Sequence, residues 1–404
     1  MKTILTLMLC VGAAGTMMAQ KAVVDQAAKL SGKADKIAES RSLIDQASKN
    51  PETANDARTY YVGGKNEYEV YDLARTKQMI NPQDKDVKPI EMGKQLLNGY
   101  KMFQKALPLD SVPDAKGKVK PKYSKDMISR INGHFNDYFN SAIAFYNEKM
   151  YYPEAYESFM LYGDLPKSVH ADKLMKATAD SVINTAYFNA GIAAYAGNAL
   201  PEAALAFKKA RQNNYDNAQN YVYEIACWQY MAQNDSTKAD EAQKQIEDIA
   251  LDGYKKFGTS QMLFINNLVN SWMNENKTDK VLALLNEEIG KNPENGALYG
   301  LRGFVYDRNG KDDESVADYR KAASFADTDF ETLKNASKKI FRTGTTKWNA
   351  IEGAAPEARQ DVKVNYFEAA KAIADRAKSM NPDDSDVNYV LENINYALDT
   401  YFNK

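Results

Sequence analysis

The stretch that decides the fold is Gly296–Arg308, GALYGLRGFVYDR, read against Met262–Asn274, MLFINNLVNSWMN. Trp272, Val281, Leu285 and Pro293 recur 34 residues later as Tyr306, Ser315, Tyr319 and Asp327. The second copy reads Tyr299-xxx-Gly303-xx-Tyr306, then Gly310, Ser315-xxx-Tyr319 and Ala322. A fixed period of about 34 residues, with large and small residues at set offsets, is the pattern of stacked helix pairs. One pair cannot bury its apolar face alone, so neighbours must stack.

Outward from this centre the periodicity stays helical. Val281-Leu282-Ala283-Leu284-Leu285 and Tyr366-Phe367-Glu368-Ala369-Ala370 place apolar residues at i, i+3 and i+4, whereas strand-like alternation is nearly absent. Asn-Pro occurs at 50–51, 81–82, 292–293 and 381–382, each after a helical segment. Proline cannot continue a helix and turns the preceding residue away from helical geometry, so these pairs read as turns between repeats.

The quoted motif resembles the tetratricopeptide repeat family. The resemblance implies an all-α fold, a right-handed α-solenoid of stacked antiparallel helix pairs, with a concave groove that receives a partner. Phe139, Tyr146, Ala155 and Phe159 fit one repeat, and Tyr187, Gly191, Ala203, Phe207 and Ala210 another. Ala142, Ala194, Arg302 and Ser315 stand where that family has leucine, tyrosine, leucine and alanine. Gly191 and Gly303 are expected to allow close helix approach, with the aromatic Tyr306, three residues beyond Gly303, filling the gap beside it.

Residues 1–19 read as a secretory signal peptide: Lys2, an apolar run over 3–15, and Met17-Met18-Ala19 before a mature start at Gln20. Cys10 follows Leu9, not a small residue, which argues against lipidation. The domain plan is 1–19 signal peptide, 20–107 N-terminal tetratricopeptide-like helices, an inserted loop at 108–123, and an array over 124–404. That array carries an insertion near 343–364 and a capping helix at 386–402, because a solenoid end needs a polar outer face. Helices are expected at 33–48 and 56–73, and 221–257 as one irregular pair.

Loss of Lys2 takes the net charge from −2 to −3, so no basic field points to nucleic acid. No apolar run beyond the leader is long enough for an integral membrane span. Cys227 alone remains after cleavage, leaving no internal disulfide, and its apolar helix makes it a small buried hydrophobe. Two histidines, His134 and His170, with no Cys-His spacing and no nucleophile motif, supply neither a metal site nor an enzyme. Asn381-x-Asp383-x-Ser385 with Glu392 faintly resembles a calcium loop, but Asp386 stands where such a loop needs glycine, so capping is expected. No cofactor is implied.

Asn266, Asn270 and Asn274 recur every four residues, which puts three amides on one helical stripe. The resemblance implies that Asn266 and Asn270 face the groove, and an amide both donates to and accepts from an extended peptide backbone. Phe304, Asp307 and Arg308 occupy the matching stripe of the next repeat, and Tyr195 with Phe188 and Ile192 that of an earlier one. Packing is expected for Phe188 and Ile192, for most of the 26 tyrosines, and for the pairs Tyr60-Tyr61 and Tyr151-Tyr152. Asp312-Asp313-Glu314 is expected to be solvated. Asp110-Ser111-Val112, Asp180-Ser181-Val182 and Asp235-Ser236-Thr237 resemble a short O-glycan acceptor motif. The functional expectation is a non-enzymatic periplasmic scaffold for a protein or peptide. The alternative is an envelope glycan-binding protein of a nutrient-uptake system.

Overall fold

The structure, a computed structural model, describes residues 21–351 and 356–402. The leader, its cleavage point and Cys10 lie outside the described residues. Every regular element among the described residues is helical. The chain divides into two compact units at Lys238/Ala239, inside the 221–257 segment expected as one pair.

Unit 1 contains α1 (Ile37–Lys49), α2 (Ala57–Ile80), α3 (Pro89–Asp110), α4 (Ser124–Gly133), α5 (Phe135–Asn147), α6 (Tyr152–Asp164), α7 (Asp180–Ala196), α8 (Leu200–Gln212) and α9 (Ala218–Asn234). Their starts follow local chemistry. The Asp56 carboxylate accepts from the Arg58 amide at 2.9 Å and Asn217 caps Gln219 likewise, satisfying amides that have no helical partner. Pro153 and Pro201 sit in first turns, where a missing N–H costs nothing. The expected helix 56–73 runs on to Ile80, because no breaker precedes Asn81-Pro82. The helix expected at 33–48 is a 3₁₀ turn, Ala34–Lys36, followed by α1.

Unit 2 contains α10 (Ala239–Phe257), α11 (Met262–Asn274), α12 (Thr278–Lys291), α13 (Gly296–Arg308), α14 (Asp312–Ala323), α15 (Phe330–Ala350), α16 (Ala369–Met380) and α17 (Ser385–Phe402). A short helix, Pro356–Val362, runs through a π turn, Lys363–Glu368, into α16. Of the insertion expected near 343–364, residues 343–350 continue α15 and 356–364 fall in the short helix and its π turn. Residues 386–402, expected as a capping helix, lie in α17, whose Val387, Val390, Leu391 and Ile394 pack inward.

The helix pairs close as the repeat pattern requires. In unit 1 a Cβ added at Gly191 would overlap the Phe207 ring, and Ala203 and Ala210 are fully buried. In unit 2 a Cβ at Gly303 would stand 3.2 Å from the Tyr319 ring. The ring beside each glycine thus comes from the second helix of the pair. Tyr306, the expected filler three residues beyond Gly303, is half-buried beside Arg302 and Lys311 instead.

Four helices end alike. Asn198, Asn214, Asn276 and Gly310 adopt the left-handed conformation two residues past α7, α8, α11 and α13. The next amide in each case bonds back five residues: Ala199 to Ala194 O, Tyr215 to Ala210 O, Lys277 to Trp272 O, Lys311 to Tyr306 O. These are Schellman closures, and asparagine tolerates the left-handed position best after glycine.

Candidate functional site

The expected residues fall in both units. Asn266, Asn270 and Asn274 are all exposed on α11, and none makes a side-chain hydrogen bond among the described residues. The opposite face of α11 explains the exposure: Phe264, Ile265, Leu268 and Val269 are fully buried, and Trp272 nearly so. The indole Nε1–H of Trp272 donates to Glu247 at 2.7 Å, and the Lys280 ammonium sits 3.6 Å over its ring. The stripe is thus carried on a pinned helix.

On α13 the three expected residues diverge. Arg308 is exposed and has no ion pair among the described residues. Asp307 is committed internally, binding Lys339 at 2.7 Å and Arg342. Phe304 is half-buried and packs against the cluster of Tyr319, Leu333 and Ile340. The acidic run Asp312-Asp313-Glu314 is exposed, as expected, yet it is also engaged in pairing. Asp312 binds the buried Lys339 and Asp313 binds Lys347 at 2.9 Å, so two of the three carboxylates tie α14 to α15. The hydrogen bond from Lys339 outweighs burial and holds the Asp312 carboxyl below its ordinary range.

Tyr195 lies in unit 1. It is half-buried, with its ring 5.5 Å from Tyr223 and 6.3 Å from Tyr230. Phe188 packs at 5.8 Å from Phe207 and Ile192 joins the same cluster, as expected for both. The tyrosine pairs are packing residues too. Tyr61 stacks on Tyr123 at 4.4 Å and donates to Asp126, and burial together with that carboxylate pushes its hydroxyl up to about 12. Tyr152 and Tyr151 pack on Tyr146 and Phe145. Cys227 is fully buried, and burial first, then Glu224, pushes its thiol up to about 12.

A feature not expected from the sequence lies in unit 1. Ser111 and Pro121 of the 111–123 loop join the lining of an open cavity of about 620 Å³, walled chiefly by Tyr100, Leu107, Pro108, Pro121, Ile131 and Leu165. This is the size range of ligand and side-chain pockets. Its mouth carries Gln104, Asn132, Ser168 and His170. The loop is fixed at its far end by Asp110. That carboxylate accepts from the amides of Lys122, Tyr123 and Ser124 and from Ser124 Oγ at 2.7–3.0 Å. Partial burial opposes ionisation, but these donors win and hold Asp110 below its ordinary value. The one legible signal was that the loop follows an amphipathic helix and mixes valine and proline with lysine. The walls come from segments up to 70 residues apart, which no periodicity reveals.

His134 is buried between Asp137, 2.9 Å from Nδ1, and Asp72, 3.3 Å from Nε2, while Arg75 binds Asp137. That network joins α2 to the α4–α5 junction. Among the described residues no group of three or more His, Cys, Asp or Glu side chains is placed to hold a metal, and no helix is long and apolar enough to cross a membrane. In the segment weighed as a calcium loop, Asp384 caps the Val387 amide at 2.9 Å.

No protein-family model matches this chain, and no curated protein does. Among solved structures it is similar to yeast Tom70, with 12% identity, 95% of this chain and 89% of that one covered, and a TM-score of 0.32. It is also similar to the TPR domain of P58(IPK), with 9% identity, coverage of 95% and 99%, and a TM-score of 0.31. A third is the APC/C heterotetramer Cut9–Hcn1, with 10% identity, coverage of 89% and 81%, and a TM-score of 0.29. Overlaps this low leave the repeat reading to rest on the helix packing described above.

Proposed function

We propose that this chain is an exported, periplasmic, non-enzymatic scaffold that binds an extended protein segment along the asparagine stripe of α11. The observation that carries the reading is the stripe itself. Three amides stand in register on one exposed face with no internal partner, and asparagine is a mediocre helix former that packing does not require there. Unspent amides on a rigid helix can pair with a peptide backbone without costing side-chain partners. The exposed Arg308 on α13 adds a cation for a carboxylate of the partner. Export rests on the leader pattern of residues 1–19.

Affinity capture from envelope extract tests the reading. Wild-type protein is expected to recover a protein partner that the Asn266→Ala, Asn270→Ala, Asn274→Ala variant loses, with an unchanged melting temperature. Equal recovery by both sinks it. Fractionation tests the location, a soluble periplasmic pool being expected.

A second reading draws on Tyr389 and Tyr396, exposed at 67% and 66% and seven residues apart on α17, a spacing that suits stacking of sugar rings. Glycan-array binding that disappears with both tyrosines changed to alanine would favour it.

A further inference from the structure

We propose that a second hollow of unit 1, between α2 and α5, is a binding site for a neutral sugar, a single ring carrying several hydroxyls. The inference goes beyond the scaffold reading and stands without it. It uses neither the asparagine stripe of α11 nor the tyrosines of α17.

The hollow holds about 380 Å³, near the lower end of ligand pockets. Two helical stripes form its walls. Asp137, Asn140, Ser141 and Ala144 stand at i, i+3, i+4 and i+7 on α5, which turns all four to one face. Arg75, Gln78 and Met79 stand at i, i+3 and i+4 on α2, and Pro89 and Met92 of α3 join the lining.

Three observations select the ligand. The first is an unspent buried hydroxyl. Ser141 is only 8% exposed, lines the hollow, and makes no side-chain hydrogen bond among the described residues. Packing fixes its place, because α3 comes so close at Gly93 that a Cβ there would stand 3.2 Å from Ser141 Cβ. A buried polar group without a partner is costly, and a ligand that bonds to it removes that cost. Second, Gln78 and Asn140 beside it also make no side-chain hydrogen bond among the described residues. A hydroxyl and an amide each donate and accept, as sugar hydroxyls do, whereas a carboxylate only accepts and an ammonium only donates. Third, the lining has no unanswered charge. Its one cation and one anion, Arg75 and Asp137, bind each other at 2.9 Å. The remaining surface is apolar, with Met79 76% exposed and Pro89 and Met92 in the same lining, a cover for the C–H face of a ring. An extended peptide fits less well. It spaces its donors and acceptors along a line at about 3.3 Å per residue, where this hollow gathers three groups of mixed donors and acceptors around one small space.

The walls are also held in place. Arg75 of α2 and Asp137 of α5 bridge them, and His134 Nδ1 lies 2.9 Å from the same Asp137 oxygen. A ligand therefore meets a formed site and loses less ordering entropy on binding.

The test uses the full mature chain and free glucose, galactose, mannose and N-acetylglucosamine, read by methyl and side-chain amide NMR. At least one sugar is expected to give saturable shifts at Ala144, Gln78 and Asn140. The epimers glucose, galactose and mannose are expected to differ several-fold in affinity, since a site that bonds to hydroxyls rejects a misplaced one. Ser141→Ala removes the hydroxyl without leaving a buried group unpaired, so it keeps the melting temperature and is expected to weaken binding about fivefold. Asn140→Ala, at an exposed position, is expected to act alike. The triple asparagine variant of α11 and the double alanine variant at Tyr389 and Tyr396 bind as wild type. No saturable shift from any sugar, equal affinity for all the epimers, unchanged binding in Ser141→Ala, or preference for glucuronate or glucosamine over glucose would each overturn the proposal. So would a Gly-Asn-Gly peptide that shifts the same resonances where the sugars do not. Loss of sugar binding in the Tyr389 and Tyr396 variant alone would move the sugar to α17 and overturn it too.

Discussion

The pair α7–α8 of unit 1 and the pair α13–α14 of unit 2 share one backbone plan and are sealed by different chemistry. Both have a glycine under a ring from the second helix, a small residue opposite it, and a Schellman closure after the first helix. Around Gly191 in α7–α8 the seal is apolar, the polar bonds between the two segments, Asn184 with Asn213, lying at one end. Ala190, Ala203, Ala206 and Phe207 are fully buried, and the Phe207 ring rests directly on Gly191. In α13–α14 the ring stands off slightly and polar bonds take over. Arg302 forks onto Asp318 with two bonds of 2.7 Å, Ser315 Oγ donates to Gly303 O at 2.8 Å, and Lys339 ties Asp307 to Asp312. A repeat plan thus specifies where helices touch, not which forces hold the contact.

The difference can be broken from the polar side first. Arg302→Leu restores the residue typical of the repeat but strands Asp318, which is only 6% exposed. Leaving one member of such a pair unpartnered costs about 3 kcal/mol. Denaturant unfolding of unit 2 should shift by that amount, and Asp318→Leu added on top should recover most of it. A single variant as stable as wild type would mean the ion pair contributes nothing.

On the apolar side, Gly191→Ala forces a methyl into the Phe207 ring, whose neighbours leave it no room. Overpacking outweighs the helix-propensity gain, for a net loss of about 2 kcal/mol. Gly303→Ala meets Tyr319 at 3.2 Å and Ser315 O at 3.3 Å, so clash and propensity nearly cancel, within about 1 kcal/mol of wild type. If thermal melts give equal losses at the two glycines, the seals do not differ as described. Ser315→Ala, which removes one buried hydrogen bond, should cost about 1 kcal/mol by the same measurement.

The smallest effect separates the pairs by pH. Asp312 has its carboxyl held low by Lys339. A depressed carboxyl adds stability above the ordinary aspartate pKa of about 3.9, and that contribution is lost as pH falls through the lower folded value. Amide exchange measured at pH 6 and pH 3, corrected for intrinsic rates, should therefore show α14 losing protection relative to α8. Equal changes in the two helices would contradict the polar seal.

The sequence made the all-α class and the regular pairs legible because Gly191, Ala203 and Phe207, like Gly303, Ser315 and Tyr319, encode short-range contacts at fixed offsets. It also placed the Asn-Pro turns at Pro51, Pro82, Pro293 and Pro382. What it left hidden was long-range. Asp312 and Asp313 are exposed as read, but their partners Lys339 and Lys347 lie 27 and 34 residues away. The cavity in unit 1 was hidden for the same reason. Asn198, Asn214 and Asn276 were a missed local signal, since each marks a helix end as surely as Gly310 does. The asparagine stripe was legible as a stripe, yet only the structure separates the free Arg308 from the committed Asp307 and the covered Phe304.

The most direct test of the scaffold reading is crosslinking with mass spectrometry in the intact envelope, with a photoreactive residue at position 267, beside Asn266 and Asn270. The account predicts crosslinks from α11 to a small set of envelope proteins, lost when Asn266, Asn270 and Asn274 are all alanine in an otherwise equally stable chain. Crosslinks that persist unchanged in that variant, or an α11 that meets no partner at all, would contradict it.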